Sequence, residues 1–203
     1  MKPKKDHKRQ VILENAMNLY LKNGYAKMSI RMLANEIKSS PSSIYSYFKD
    51  KDEIFYELQV QAFMTFNEFV FEECVFKKPI SKLKHQCRNY FEFAIKNTLF
   101  YELLFMLKAP FNTIESRNLE WKGGRMAINK LKESISETIK EGYFSGFSLK
   151  QATYFVFNYL HGIIALYLNK RLSMYDDSDK NVISLVKKSL EDFFELLKST
   201  RKL

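Results

Sequence analysis

Residues that interrupt regular structure are scarce in this sequence. Its 203 residues include only 4 prolines and 6 glycines, and no strand-like alternation of apolar and polar residues persists along it. A shortage of prolines and glycines favours long helices over many short strands. Hydrophobic residues make up 46% of the chain, which is enough for a packed core. The sequence therefore predicts an all-α fold.

Cysteine and histidine are also rare, with 2 and 3 residues respectively. Two cysteines do not form a disulfide framework, and free thiols in a reducing cytosol are the simpler expectation. Cys74, His85 and Cys87 could supply soft-metal ligands, but His-x-Cys with a remote third ligand is not a strong zinc spacing. We therefore expect no metal site and no cofactor. Because no nucleophile–base signature is present either, we expect that the protein is not an enzyme.

Long apolar runs are missing as well. The basic N-terminus is not followed by an apolar stretch, so it does not resemble a secretory signal. The most apolar segment, 154–168, is interrupted by Asn158, His161 and Gly162 and is short for a bilayer-spanning helix. We therefore expect a soluble cytoplasmic protein that does not bind a membrane.

Positive charge is abundant and is densest near the N-terminus. Of the net charge of +10, residues 1–54 contribute +5, from 11 Lys and Arg against 6 Asp and Glu. Residues 55–203 contribute the other +5, from 22 against 17, over nearly three times the length. Such a distribution suits a polyanionic partner. A generally lysine-rich surface is the alternative.

Boundary signals divide the first fifty residues into three short helices, predicted over 8–23, 30–37 and 41–48. The signals are residues that cap helix ends: a glycine, two serines, and an aspartate followed three residues later by a glutamate. In chain order they are Gly24, Ser29, Ser40 before Pro41, and Asp50 with Glu53. The second and third helices lie about three residues apart, which is the geometry of a helix-turn-helix that enters the major groove of DNA.

The remainder of the sequence predicts helices almost throughout. Their breaks fall at Lys78-Pro79, at Ala109-Pro110, between Gly142 and Gly146, and in the polar cluster 176–179. The predicted ranges are 51–76, 80–97, 98–108, 115–141, 148–171 and 179–199.

The span Arg9–Leu58 resembles the DNA-binding domain of the TetR family of bacterial transcription regulators. The similarity is most specific over 44–54, IYSYFKDKDEI, where Ile44 and Phe48 lie four residues apart and would face a small core. Lys38 departs from the family, which usually has glycine at this turn position. A left-handed conformation at Lys38 would cost about 1 kcal/mol.

The resemblance implies two domains. A helix-turn-helix domain over 1–50 would bind double-stranded operator DNA. A helical domain over 51–203 would bind an effector and dimerise, with helix 51–76 connecting the two. Residues 159–164, YLHGII, also resemble the Trp-His-Gly signature of one C-terminal subgroup of the family.

Side chains on and beside the helix-turn-helix are the candidates for DNA contacts. Phosphate contacts supply most of the affinity and base contacts the specificity. Arg31 is the best candidate base reader, because its planar guanidinium can pair with guanine O6 and N7. The candidate phosphate contacts are Ser29, Tyr45, Lys49 and Lys51, and the candidate base contacts are Arg31, Pro41, Ser42, Ser43 and Tyr47. A basic N-terminal arm of Lys2, Lys4, Lys5, Lys8 and Arg9 could lie along phosphates or enter the minor groove, or be disordered.

Large aromatic residues are frequent in the predicted effector domain. They form either plain core or the lining of an apolar pocket, and the family resemblance favours a pocket for some of them. On helix 148–171, Asn158 and His161 would be polar groups inside an apolar helix, and such groups need partners. They would orient an effector, bond to neighbouring helices or bridge the dimer. The candidate ligand-binding residues are Phe63, Phe66, Phe91, Phe105, Tyr154, Asn158 and His161.

The last two predicted helices indicate that the protein forms a dimer. Helix 148–171 is apolar nearly all round, so a second surface must cover it. Together with helix 179–199 it could form half of a four-helix bundle with a two-fold mate, and Gly162 would permit close approach. A palindromic operator also requires a dimer. We expect a homodimer through helices 148–171 and 179–199.

These features together predict a ligand-responsive transcription regulator. Its expected action is repression, relieved when a small apolar or aromatic effector releases the protein from a palindromic operator. Two alternatives stay open, a regulator without a small-molecule effector and a non-specific basic DNA-binding protein.

Overall fold

The computed structural model describes residues 2–172 and 179–199. Helices dominate this part of the chain, which contains no β-strand, so the predicted all-α fold is confirmed. Among the described helices, none combines the length and apolar character needed to cross a membrane. The helices are α1 (Lys2–Lys27), α2 (Ile30–Glu36), α3 (Pro41–Tyr45), α4 (Lys51–Val70), α5 (Pro79–Lys96), α6 (Thr98–Tyr101) with a π-helical segment after it (Glu102–Met106), α7 (Ala109–Arg117), α8 (Lys122–Lys140), α9 (Leu149–Leu168) and α10 (Asp179–Ser199).

Side-chain caps start α2 and α3 at the predicted residues. Ser29 Oγ accepts a hydrogen bond from the N–H of Met32 at 3.2 Å. Ser40 Oγ accepts one from the N–H of Ser43, also at 3.2 Å. Each bond satisfies an N–H group that the first turn of a helix leaves without an intrahelical partner.

The first helix is longer than predicted. It begins at Lys2 and continues to Lys27, whereas the prediction was 8–23. Gly24 adopts a positive φ of 74° with ψ of 171°, a conformation that costs glycine little. The residues after Gly24 return to helical geometry, so the glycine kinks α1 instead of ending it. Lys8 and Arg9 lie within α1, as the predicted range implies, and are therefore not disordered.

The turn between α2 and α3 contains a lysine in the left-handed region. Lys38 has φ of 49°, the conformation that favours glycine and that costs another residue roughly 1–2 kcal/mol. The turn is closed by Ser39, whose N–H donates to the carbonyl of Ala34 at 2.8 Å. The helix-turn-helix therefore forms with lysine at the position where the TetR family, which this segment resembles, usually has glycine.

The fourth helix ends earlier than predicted, at Val70 instead of residue 76. The segment that follows, 71–78, is not helical, and its residues 72–75 are exposed. Most helical stability in proteins comes from the packing of an apolar face. Residues 72–75 bury no such face, so packing does not extend α4 through them.

The predicted helix 115–141 is two helices in the structure. α7 ends at Arg117, and Asn118 after it adopts the left-handed conformation, with φ of 50°. Asparagine tolerates this conformation better than most residues, so it ends α7 at little cost. The next helix, α8, begins at Lys122. The interruption lies before Gly123 and Gly124, which are within α8.

Two compact units make up the chain. The first contains Met1–Met64 and Leu99–Lys122, and the second contains Thr65–Thr98 and Gly123–Leu203. The predicted division into functional domains, 1–50 and 51–203, stays a prediction, because a compact unit is not by itself a functional domain.

Aromatic packing and one buried amide organise the interior of the first unit. Tyr20 is fully buried, packs edge-on against Phe55 at 5.2 Å between ring centroids, and donates its hydroxyl to the carbonyl of Leu99 at 2.7 Å. The buried amide of Gln59 donates to the carbonyls of Leu103 and Leu104 at 3.1 and 3.2 Å. These bonds satisfy polar groups that would be costly to bury unpaired.

The second unit is built around α5, which packs against both α9 and α10. α9 and α10 also contact each other: the Tyr159 and Phe193 rings stack at 4.2 Å between centroids. The hydroxyls of Tyr159 and Ser189 share a hydrogen bond of 2.5 Å. Phe91 of α5 lies edge-on to Tyr167 of α9 at 6.0 Å between centroids.

The N-terminus of α4 is anchored within the first unit by two acidic residues. Asp52 accepts hydrogen bonds from the Tyr25 hydroxyl at 2.8 Å and from the Asn112 amide at 2.9 Å. Glu53 accepts two hydrogen bonds from the Arg117 guanidinium at 2.6 and 3.0 Å. A bidentate pair of this kind is among the stronger side-chain contacts.

The predicted aspartate cap of α4 is confirmed in part. Asp50 Oδ1 accepts the N–H of Glu53 at 2.8 Å. In return the Glu53 carboxylate accepts the N–H of Lys49, one residue before the cap, at 2.5 Å.

We predict that Glu53→Gln reduces the loss of stability in acid. Burial would raise the pKa of Glu53, but the hydrogen bonds from Arg117 and from the Lys49 N–H outweigh it, so this pKa lies below its usual value. A carboxyl of lowered pKa stabilises the folded chain above its unfolded-state pKa, about 4.3 for glutamate. That contribution is lost as the pH falls through the folded-state pKa.

The measurement is the free energy of unfolding by urea from pH 7 to pH 3. Below about pH 4.3 the wild type should lose stability more steeply than Glu53→Gln. Glu115→Gln, at an exposed position on α7, is the matched control and should follow the wild type. Equal slopes for Glu53→Gln and the wild type would show that this ion pair contributes nothing.

Candidate nucleic-acid interface

The third helix has one buried face and one exposed face. Ile44 is completely buried, and Phe48, just after the helix, is 1% exposed. This confirms that both residues face the small core. Because α3 has only five residues, burial of Ile44 directs its neighbours outward. Pro41 and Ser42 are exposed, and Tyr45 is 54% exposed.

The second helix presents a basic residue next to its cap. Leu33 and Ala34 are buried, whereas Ser29 and Arg31 are exposed. The Ser29 hydroxyl oxygen already accepts the cap hydrogen bond, but its proton can still be donated to a phosphate oxygen. Arg31 is exposed, and a guanidinium must be accessible at the surface to pair with a base edge.

Two residues of α1 contact the region of α3. Lys8 donates its ammonium to Ser43 Oγ at 2.9 Å and lies 5.9 Å from the centroid of the Tyr47 ring. Ser43 and Tyr47 are both half-buried. Lys8 therefore brings positive charge to two of the candidate base contacts, a placement that sequence spacing over 35 residues could not indicate.

Arg9 braces the same region from within α1. Its guanidinium lies 4.6 Å from the centroid of the Phe48 ring and 3.1 Å from the Glu57 carboxylate. The cation–π contact and the ion pair together fix the side chain. We infer that Arg9 supports the core beneath α3.

Lys51 is held at the first residue of α4. Its ammonium donates to the carbonyl of Tyr25 at 2.6 Å and lies over the Tyr25 ring, 3.7 Å from the centroid. Burial lowers the pKa of Lys51, and the charge of Asp52 opposes that shift. An ammonium has three N–H donors, so the bond to Tyr25 leaves capacity for a phosphate oxygen. Lys49, the neighbouring candidate, is exposed.

All nine candidate DNA contacts are thus exposed or half-buried within the first unit. They are carried by α2, α3, the segments beside them and the first residue of α4. Sequence reasoning missed the role of Tyr25 in positioning Lys51, because that contact forms only when α1 and α4 pack. Whether these nine residues contact DNA stays a prediction.

The candidate ligand-binding residues divide between the two units. In the first unit, Phe63 is buried and lies edge-on to Phe105 at 5.7 Å and to Trp121 at 5.4 Å between centroids. In the second unit, Phe66 lies edge-on to Tyr90 at 5.3 Å. The Tyr90 hydroxyl is 3.4 Å from Nδ1 of His161.

Tyr90 is a residue that sequence reasoning did not select. It contacts both Phe66 and His161, and burial lowers the pKa of His161, which favours the neutral imidazole. Phe91, next to it on α5, is buried.

The two remaining ligand candidates lie at the surface of the chain. Tyr154 is 53% exposed, and Asn158 is exposed on the same helix. The expectation that Asn158 is a buried polar group is therefore wrong for the single chain. Helix periodicity places residues on a common face, but it does not indicate whether the protein's own helices or another surface cover that face.

Known proteins resemble the chain at its N-terminus and in its fold. The family model described as bacterial regulatory proteins, tetR family, matches residues 12–58. This range includes α2, α3 and the start of α4. No curated protein matches the sequence.

Solved structures share the fold over nearly the whole chain. A TetR transcription regulator from Haloarcula marismortui ATCC 43049 has a TM-score of 0.68 at 16% identity, over 95% of this chain and 98% of that one. The fatty acid degradation regulator FadR from Bacillus halodurans has a TM-score of 0.67 at 18% identity, over 96% of each chain. A TetR family transcription regulator from Marinobacter aquaeolei VT8 has a TM-score of 0.59 at 14% identity, over 95% of this chain and 97% of that one.

The two kinds of match agree with the geometry. The family match covers the segment whose capped helices and exposed side chains form the candidate interface. The structural matches, at low identity, show the fold. Residues 12–58 therefore match the model of the tetR family of bacterial regulatory proteins, and the chain as a whole shares its fold with solved TetR-family transcription regulators.

Proposed function

We propose that this protein is a ligand-responsive, non-enzymatic transcription regulator that binds a palindromic operator as a homodimer. The observation that carries the proposal is the exposed face of α2 and α3 inside the matched segment. There Arg31, Ser42 and Tyr45 are exposed while Ile44 is buried. An exposed polar surface on a buried apolar support is what a recognition helix in the major groove requires.

The candidate contacts have two separate tasks. Arg31, Pro41, Ser42, Ser43 and Tyr47 are proposed to contact base edges. Ser29, Tyr45, Lys49 and Lys51 are proposed to contact phosphates, which carry no sequence information directly. The ammonium of Lys51 is fixed over Tyr25, so its charge is positioned before DNA binds and less side-chain entropy is lost on binding.

Arg31→Ala and Lys51→Ala should weaken DNA binding in different ways. Arg31→Ala should cost about 1–3 kcal/mol on the operator and relax the preference at one base pair per half-site. Lys51→Ala should weaken binding to all sequences by a similar factor and reduce the salt slope by roughly one counterion. The probe is an inverted-repeat duplex selected with the wild-type protein from a random library, and the measurement is affinity against salt concentration.

Lys140→Ala removes the same charge from an exposed position outside the matched segment and should bind the operator like the wild type. Thermal melting of each variant separates lost contacts from lost folding. If Arg31→Ala weakens operator and random DNA equally, Arg31 does not read bases. If selection enriches no sequence at all, the protein is a non-specific DNA-binding protein.

The proposed dimer surface is the exposed stripe of α9 together with α10. α9 contains no charged residue after Lys150, although Phe155 and Leu166 are 46% and 43% exposed. Gly162 lies between them, and a Cβ atom at Gly162 would meet no heavy atom within 4 Å. On α10, Leu185 and Leu196 are 54% and 67% exposed. An exposed apolar stripe without charged residues, such as that of α9, indicates an interaction site, and a second copy supplies the self-complementary surface.

We predict that Leu166→Glu weakens the dimer. A carboxylate buried in a two-fold interface occurs twice per dimer and lacks a partner each time, so the dimer should weaken by at least about tenfold. Sedimentation equilibrium gives the dissociation constant. Met126→Glu, at a residue of α8 that is also 43% exposed, is the matched control and should leave the dimer intact. A wild-type monomer, or an unaffected dimer in Leu166→Glu, would remove α9 from the interface.

The proposed effector is a small apolar or aromatic molecule that binds in the second unit. Phe66, Tyr90 and His161 combine aromatic surface with one hydroxyl–imidazole pair that is partly buried. Apolar pockets with one or two polar groups are typical of small-molecule sites. FadR from Bacillus halodurans is named for fatty acid degradation, but at 18% identity it contributes only the fold. The Trp-His-Gly resemblance around His161 stays a prediction.

Coupling to DNA is proposed to run through α4. This helix carries Lys51 at its first residue and Phe66 near its end. A ligand that displaces Phe66 acts on the same helix as the phosphate contact. Recognition helices of a dimer must lie about 34–36 Å apart to occupy successive major grooves, so a ligand that favours another spacing would release the operator and relieve repression.

We expect a compound that raises the melting temperature to lower operator affinity, and the operator to lower affinity for that compound by the same factor. A hundredfold effect corresponds to about 2.7 kcal/mol of coupling. Tyr90→Phe should weaken compound binding while leaving operator binding of the free protein unchanged. Tyr143→Phe, also in the second unit, is the matched control. If no stabilising compound changes operator affinity, the protein is a regulator without a small-molecule effector.

A further inference from the structure

Three metal-ligating side chains of different types meet beside the segment that follows α4. Glu72 and Cys74 lie in this segment and are exposed, and His85 lies on α5 and is half-buried. Their ligand atoms are all within 4.8 Å of one another. His85 Nε2 is 2.9 Å from Glu72 Oε1 and 3.9 Å from Cys74 Sγ. A single ring nitrogen thus faces both other ligands.

A neighbouring amide holds this cluster in place. Asn89, one turn after His85 on α5, donates its amide to Glu72 Oε1 at 3.1 Å and to the carbonyl of Phe69 at 3.1 Å. The Phe76 ring lies 5.1 Å from the His85 ring between centroids. Outer contacts of this kind fix the orientation of ligating side chains at metal sites.

A cavity and an unpaired oxygen accompany the three ligands. Glu72, Cys74 and His85 line a cavity of about 320 Å³, and Gln86 lines it as well. Gln86 is 7% exposed, and its buried side-chain oxygen has no hydrogen-bond partner among the described residues. A buried acceptor without a donor is costly, and a water molecule bound to a metal ion would be such a donor.

We propose that Glu72, Cys74 and His85 bind a zinc ion, with water as the fourth ligand. Zinc accepts sulfur, nitrogen and carboxylate oxygen together in a tetrahedral arrangement, and three protein ligands with one open position are an established pattern. The thiolate disfavours magnesium and calcium, which take oxygen ligands. None of these three residues belongs to the candidate DNA interface, so the site is separate from it.

The expectation that this sequence has no metal site considered Cys87, not Glu72, as the third ligand beside Cys74 and His85. Cys87 is buried and is not part of the group whose ligand atoms lie within 4.8 Å of one another. Glu72 takes the place of Cys87 because the end of α4 at Val70 leaves the following segment free of helical geometry. An ion bound there would link this segment to α5 and stabilise the second unit, since a ligand of the folded state raises its stability.

The test uses the full-length, tag-free protein, stripped of metal with a chelator and then freed of the chelator. Zinc is titrated in competition with a chromophoric chelator, and cobalt is added separately to record its absorption spectrum. We expect one zinc ion per chain and a thiolate-to-cobalt charge-transfer band. Cys74→Ser should abolish the band, and Cys87→Ala should keep it.

Ligand variants and matched controls decide the assignment. Glu72→Gln and His85→Gln should each lower zinc affinity by more than about tenfold, since even outer-shell changes cost about 10–100-fold. Glu68→Gln, at an exposed glutamate of α4, should bind zinc like the wild type. Thermal melting without metal verifies that each variant is folded. Absence of stoichiometric zinc binding, or unchanged affinity in Glu72→Gln, Cys74→Ser and His85→Gln, would overturn the proposal.

Discussion

The first turn of α4 is the constraint on which the first compact unit depends. Asp52 joins it to the Tyr25 hydroxyl and the Asn112 amide, and Glu53 joins it to the Arg117 guanidinium. α2 and α3 have seven and five residues, far below the length at which an isolated helix is stable. They persist because caps and buried residues attach them to longer helices, and α4 is the longer helix that follows α3 in the chain.

The same turn gives Lys51 two simultaneous roles. Its ammonium packs against the Tyr25 ring and carbonyl, which secures the side chain, and it lies at a helix N-terminus, where backbone N–H groups favour an anion. A flexible surface lysine would lose side-chain entropy on binding a phosphate. A lysine already fixed in position loses less, so structural support and the proposed DNA contact are compatible in one residue.

α9 shows how one helix can serve both a core and an assembly. Val156, Leu160 and Ile164 are buried within the chain, whereas Phe155, Gly162 and Leu166 are exposed. Both faces are apolar, so composition does not distinguish them. The exposed stripe is therefore proposed as the surface for a second copy, and Asn158 as part of that surface instead of an interior polar group.

The sequence alone determined that the chain is helical and where most of its helices begin. Caps such as Ser29, Ser40 and Ser148 act within four residues of the groups that they satisfy, so these starts are local. The inward direction of Ile44 and Phe48 was equally local. Helix ends were less predictable. α4 stops at Val70 because the residues after it bury no apolar face, and α7 stops at Arg117 because the residue after it tolerates the left-handed conformation. Contacts between distant positions were decided only by the tertiary structure, among them Lys51 with Tyr25, Glu53 with Arg117 and Glu72 with His85. Local spacing cannot reveal such pairs, because they form only when separate segments of the chain pack together.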